Sequence, residues 1–211
     1  MAYVINIFDT IFNDMITIIS ATNRKESLTY KIATSYSSLL NDLNIENQIM
    51  DLCDLPSDFM FSNFYGASTE VFKNIVEKYI QRAEKFVVVS PEYHGSYPGI
   101  FKAFIDCIGN EGVKEKKVAL VGVSTGRAGN LRGLDHLSAL FNHLRAEVYS
   151  SKPKLSVVHK LFNEQDVLDD SDTLKLIQNQ INGFLTFWFS LVSLGSSFDP
   201  NNFFCLMTLS T

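Results

Sequence analysis

Residues 86–90 (FVVVS) form an unbroken run of apolar β-formers closed by a serine and stopped by Pro91. A strand with no polar alternation is one covered on both faces, as a central strand is when helices lie on either side of the sheet. The rest of the middle of the chain agrees with that placement. Residues 15–19 (MITII) read as a buried strand, residues 45–52 alternate loosely as a second, and residues 117–123 (KVALVGV) and 146–150 supply a fourth and a fifth. Between them run stripes of helical period. Leu28, Ile32, Tyr36, Leu39, Leu40 and Leu43 mark a helix over 25–43, and Val71, Ile75, Val76, Tyr79 and Ile80 mark one that ends near Ala83. Pro98 and Gly99 open another, with Ile100, Phe101, Phe104, Ile105 and Ile108 on one side. Residues 131–144 and 172–187 complete the set, the last capped by Ser171 or Asp172. Strict alternation of strand and helix predicts a three-layer α/β sandwich around a mostly parallel sheet.

A length of 211 residues suits one domain, and no repeat, low-complexity tract or linker divides it. The net charge of −5 excludes a protein that holds nucleic acid through bulk positive charge, while leaving room for a local basic pocket. Cys53, Cys107 and Cys205 are far apart and odd in number, and His136, His143 and His159 lack metal-ligand spacing. Neither a disulfide framework nor a metal site is expected, and a reducing, cytoplasmic compartment is the default. The first 23 residues contain no Lys or Arg but carry Asp9 and Asp14, so they lack the basic start of a secretory signal. After Lys175 the only charge is Asp199, and the apolar run over 184–194 falls short of the ~20 residues that span a bilayer. No membrane anchor is expected.

In an open α/β sheet, ligands bind beyond the carboxyl ends of the strands. The loop after the first strand, Ser20-Ala21-Thr22-Asn23-Arg24-Lys25-Glu26-Ser27, carries hydroxyls and cations into a helix start. Free N–H groups and the partial positive charge of a helix N-terminus suit a phosphate, to which Ser20, Thr22 and Ser27 can donate and Arg24 can pair. The same residues suit a capped, hydroxyl-rich turn equally well. Neither GxxxxGK[ST] nor GxGxxG is present, which disfavours a dinucleotide held in Rossmann fashion but not a single terminal phosphate. After the third strand, Pro91-Glu92-Tyr93-His94-Gly95-Ser96-Tyr97-Pro98-Gly99 is a tightly constrained loop whose tyrosines and free N–H groups suit a heteroaromatic edge. After the fourth, Ser124-Thr125-Gly126-Arg127-Ala128-Gly129-Asn130 lets a ligand approach the main chain, and fits a generic glycine loop just as well.

Residues 21–27 (ATNRKES), 91–106 (PEYHGSYPGIFKAFID) and 124–130 (STGRAGN) resemble the three signatures of the NADPH-dependent FMN reductase family, flavodoxin-like enzymes that include quinone, chromate and azo-dye reductases. The similarity runs from about residue 15 to 187. It implies a flavodoxin-like α/β/α sandwich with a five-stranded parallel sheet in the order 2-1-3-4-5. It also implies one domain over 15–190; residues 1–14 and 191–211 carry no base and lie outside the match, so they are expected to be dispensable extensions, with Met15 as a natural start. Thr22, Arg24, Ser27 and the main chain at Leu28 and Thr29 would hold the FMN phosphate, with Ser20 beside them. Pro91, Glu92, Tyr93, His94 and Gly95 would line the isoalloxazine ring, and Ser124, Thr125 and Gly126 would close its other edge. Two positions depart from the family pattern: Ala21 replaces a glycine, so its turn must tolerate a Cβ or take a negative φ, and His94 replaces an asparagine.

On this resemblance the chain is an NAD(P)H oxidoreductase. A hydride passes from NADPH or NADH to flavin N5, and two electrons pass on to a quinone-like, azo, metal-oxyanion or free-flavin acceptor in ping-pong order. The flavin carries the chemistry, so no side chain is expected to be catalytic. Arg127 and Arg132 are candidates for the dinucleotide's phosphates, or are solvated residues of a helix start. The family implies a homodimer or homotetramer, with neither nucleic acid nor membrane as partner. A flavodoxin-type carrier or a redox-sensing FMN module would share the fold without steady NAD(P)H oxidation.

Overall fold

The computed structural model of the protein describes residues 15–187. The expected extensions over 1–14 and 191–211, and Cys205, lie outside them. Strands β1 (Ile16–Ser20), β2 (Asn47–Asp51), β3 (Lys85–Pro91) and β4 (Lys117–Val123) alternate with helices. These are α1 (Leu28–Asp42), a short α2 (Phe59–Ser62), α3 (Glu70–Val76, widening into a π turn over Glu77–Gln81), α4 (Gly99–Ile108) and α5 (Leu131–His143). Two short strands, β5 (Glu147–Val148) and β6 (Lys154–Leu155), precede α6 (Ser171–Leu185).

All pairings are parallel, in the order β2-β1-β3-β4-β5, with β6 also on β4. The order is the one the resemblance implies. The apolar run of β3 is buried at every position, and its side chains divide between two cores. Phe86 and Val88 pack with Phe72 of α3, Phe101 and Phe104 of α4, and Leu137 and Phe141 of α5. Val87 and Val89 pack with Ile32 and Tyr36 of α1 and Ile177 and Phe184 of α6. Removing this much apolar surface from water on both faces is the dominant favourable contribution to the fold.

The edge strand departs from expectation. The strand expected over 146–150 is shortened to β5, and β6 adds a further short strand beyond it, so the sheet has six strands. Gln180 of α6, fully buried, fills the break between the two. Its Nε2 donates to the carbonyls of Leu120 in β4 (3.0 Å) and Ser151 in the break (2.7 Å). A side chain thus satisfies the β4 carbonyl that a continuous edge strand would otherwise cover, and the Tyr36 hydroxyl donates to Gln180 Oε1. The α6 cap also shifts: Asp170, not Ser171 or Asp172, is the N-cap, its carboxylate accepting from the Thr173 N–H at 2.8 Å. Among the described residues, no helix is long and apolar enough to cross a membrane.

Candidate functional site

The register sets Ser20 beside Val89 and Pro91 beside Val123, so the loops after β1, β3 and β4 leave the same edge of the sheet side by side. They enclose a cavity of about 340 Å³. Arg24, Glu26, Ser27, Leu28 and Thr29 line it from the first loop, Pro91, Glu92 and Tyr93 from the second, and Val123, Ser124 and Thr125 from the third. Its volume falls within the ~300–1,000 Å³ of small-molecule and cofactor pockets.

At one end, Ser27 is the N-cap of α1, its Oγ accepting from the Tyr30 N–H at 3.1 Å. The N–H groups that follow belong to the first turn, where an α-helix has no internal acceptors. No acidic residue lies in that turn, so the positive end of α1 stands with Arg24 as a local anion site in an acidic protein. Ala21 keeps a negative φ and is buried, which settles how the turn tolerates a Cβ.

Three of the expected residues of the second and third loops lie behind the lining. The N–H and carbonyl of Tyr93 and Ser96 bond each other (2.8 and 3.1 Å), closing a tight turn with His94 and Gly95 at its tip. Both tip residues are left-handed, at φ 54° and 76°, the pattern of a type I′ turn. Gly126 instead donates its N–H to Ser124 Oγ at 3.1 Å.

The first loop holds the other two. Thr22 is fully buried, with Oγ1 accepting from the Arg24 N–H (3.2 Å) and bonded to the Tyr93 hydroxyl. Ser20, also fully buried, sits in register with Asp51 on β2, away from the cavity; burial raises the Asp51 carboxyl above its ordinary range.

Sequence reasoning missed two features of the wall. Val158 lines the cavity from the segment after β6, held by bonds from Val157 N–H to the Gly126 carbonyl (3.0 Å) and Val158 N–H to the Ser124 carbonyl (3.1 Å). Val157 adopts φ 48°, a costly conformation for a β-branched residue. The second feature is Asn130, fully buried and left-handed before α5, whose Nδ2 donates to the carbonyls of Ser90 (2.9 Å) and Pro91 (3.1 Å). It ties the third loop to the end of β3; asparagine's tolerance of left-handed backbone was the available signal. Arg132, a candidate for dinucleotide phosphates, instead points a guanidinium nitrogen at Glu92 Oε1, 3.4 Å away. Arg127 does not line the cavity.

No group of three or more potential metal ligands occurs among the described residues. Burial pushes the thiols of Cys53 and Cys107 above their ordinary range, nearby carboxylates adding to it, which is the opposite of nucleophile activation. The cavity offers N–H groups, hydroxyls and a guanidinium from the first loop and α1, a wall of proline, tyrosine and main chain, and two carboxylates, Glu26 and Glu92, of which Glu92 lies 3.4 Å from the Arg132 guanidinium. That donor set fits a phosphate joined to a flat, partly apolar group, and FMN is such a molecule.

The family model described as NADPH-dependent FMN reductase matches residues 15–158. An FMN-dependent NADPH-azoreductase of Staphylococcus haemolyticus is 34% identical over 107 residues, 49% of this chain and 55% of that protein. An FMN-dependent NADH:quinone oxidoreductase of Clostridium perfringens is 31% identical over 107 residues, 46% and 54% of the two. The chain therefore spans about half the length of the curated relatives it matches. Among solved structures, FerB, a flavoenzyme NAD(P)H:(acceptor) oxidoreductase from Paracoccus denitrificans, superposes with a TM-score of 0.68 at 22% identity, over 82% of this chain and 95% of that one. The apo form of an NADH:FMN oxidoreductase gives 0.66 at 20%, over 85% and 92%. A short-chain flavodoxin gives 0.52 at 13%, over 82% and 95%. At such identities these structures show a shared flavodoxin-like fold.

Proposed function

The chain belongs to the NADPH-dependent FMN reductase family, and from that premise we propose that it is an FMN-dependent NAD(P)H oxidoreductase acting on a quinone-like, azo, metal-oxyanion or free-flavin acceptor. The carrying observation is the pairing, within one cavity, of the α1 N-terminus and Arg24 with the wall of Pro91, Glu92 and Tyr93.

The first turn of α1 binds the FMN phosphate through the N–H groups of Leu28 and Thr29, the Ser27 hydroxyl and the Arg24 guanidinium. Thr22 supports this end by shaping the loop. Pro91, Glu92 and Tyr93 bound the ring on one side, and Ser124 and Thr125 on the other. His94, Gly95 and Gly126 act through the backbone of these walls. FMN bound there supplies the hydride acceptor and two-electron donor of the reaction. Co-substrate and acceptor enter the same cavity in turn, which gives ping-pong kinetics. A homodimer or homotetramer working in the cytoplasm is part of the same reading.

Steady-state assays of the FMN-loaded protein test it. Sustained NADPH or NADH oxidation with a quinone, giving parallel double-reciprocal lines, is expected. Bound FMN with no turnover of either nicotinamide would assign the chain to carriers or sensors instead.

A further inference from the structure

Asn130 and two side chains of α5 hold the second loop from outside the cavity. Asn130, just before α5, bonds the carbonyls of Ser90 and Pro91. Arg132 places its guanidinium against both Glu92 and the tip of the turn. Its terminal nitrogen is 3.4 Å from Glu92 Oε1, and a Cβ built on Gly95 would lie 3.3 Å from its Nε. One helical turn later, His136 Nδ1 is 2.9 Å from Ser96 Oγ. Positions i and i+4 share a helix face, so Arg132 and His136 form one grip on the segment over 92–96.

That grip has an electrostatic side. The Glu92 side chain is 15% exposed and lines the cavity, whereas Arg132 is 71% exposed and lies outside it. A carboxylate in the wall of an anion-binding cavity opposes its ligand unless it is paired. Arg132 is the cation that pairs it, through the back of the loop.

We propose that Arg132 and His136 are positioning residues for the cofactor-facing loop. Together they hold the left-handed turn at His94-Gly95 against α5, and Arg132 masks the charge of Glu92 from the cavity. The masking role rests on the flavin reading of the site; the grip itself does not. An arginine so exposed is screened by solvent, so the expected effects are small and directional.

Hydrogen–deuterium exchange of the apo protein tests the grip. Arg132→Ala and His136→Ala should each speed exchange over 92–97 while leaving the β4 core protected; unchanged exchange in both overturns the grip. FMN titrations by fluorescence quenching and the midpoint potential of the bound flavin test the masking. Arg132→Ala should weaken FMN binding by about threefold and shift the potential negative. Adding Glu92→Gln to that variant should restore both, and Arg132→Lys should retain most of the potential. A potential unmoved by Arg132→Ala, or not restored by Glu92→Gln, overturns the masking. Wild-type protein that takes up no FMN defeats the flavin reading and the masking with it, while the exchange data still decide the grip.

Discussion

The hydroxyl of Thr22 lies 2.8 Å from the phenol oxygen of Tyr93, joining two loops whose residues are 71 positions apart. Read from the sequence, Thr22 belonged to the phosphate end and Tyr93 to the ring wall. The bond makes them one latch, with Thr22 Oγ1 also accepting the Arg24 N–H. Arg24 and Tyr93 are therefore set relative to each other before any ligand arrives. Thr22→Val, which keeps the shape and deletes the hydroxyl, is expected to weaken FMN binding by about tenfold. Tyr93→Phe should cost less, because Thr22 still serves Arg24. Isothermal titration of both variants checks the ranking.

Gly133 tests the role of Asn130. A Cβ on Gly133 would stand 2.0 Å from Asn130 Oδ1. Alanine improves intrinsic helix propensity by about 1 kcal/mol. Gly133→Ala is nevertheless expected to destabilise the protein by about 2 kcal/mol, because Asn130 must leave its bonds to β3. Urea unfolding measures it, and a stabilised variant would show that Asn130 does not hold the third loop.

Gln180 tests the account of the broken edge strand. Gln180→Leu strands the carbonyls of Leu120 and Ser151 and the Tyr36 hydroxyl in the interior, for an expected loss of about 3 kcal/mol. Burial drives the Tyr36 phenol well above its ordinary pKa, so it stays a neutral donor at any working pH. Tyr36→Phe, which deletes the donor and leaves a single acceptor short, should cost less than Gln180→Leu. Thermal unfolding of the two variants provides the comparison.

Asp170 supplies a pH dependence of defined sign. Its hydrogen bonds with Thr173, side chain and backbone, hold its carboxyl below the ordinary aspartate range. A depressed folded-state pKa contributes stability that is fully present above the unfolded value of about 3.9 and is lost as pH falls through the folded value. Asp170→Asn keeps a capping oxygen and should flatten the fall in Tm below about pH 4, while Asp170→Ala should lower Tm at neutral pH. Melting curves from pH 3 to 7 distinguish them.

What the sequence made legible follows from where the information is local. The run at 86–90 and the helical stripes betray their own burial, so the layers could be read from them, while the strand order came from the resemblance of the three loop signatures. Ser27 as a cap and the tight turn at His94-Gly95 are likewise short-range. The edge strand is shorter than the sequence predicts, and Gln180, which fills the break, lies some thirty positions later in the chain. The α6 cap was misplaced because Asp170, Ser171 and Asp172 are all capping residues and only geometry selects among them. The contact of Arg132 with Glu92 was not legible because the two lie 40 positions apart. Val158 carries no motif at all; it reaches the cavity only because β6 and the left-handed Val157 aim it there.

The central claim is that the cavity at the ends of β1, β3 and β4 is an FMN site anchored by the first turn of α1 and Arg24. The most direct measurement is an anaerobic titration of the purified protein with FMN, followed by its visible spectrum and then by addition of NADPH or NADH. Stoichiometric uptake with shifted flavin bands, bleaching on nicotinamide and recovery on quinone, together with binding weakened about tenfold or more by Arg24→Ala, is the predicted result. A protein that takes up no FMN, or one that binds it equally well without Arg24, would contradict the claim.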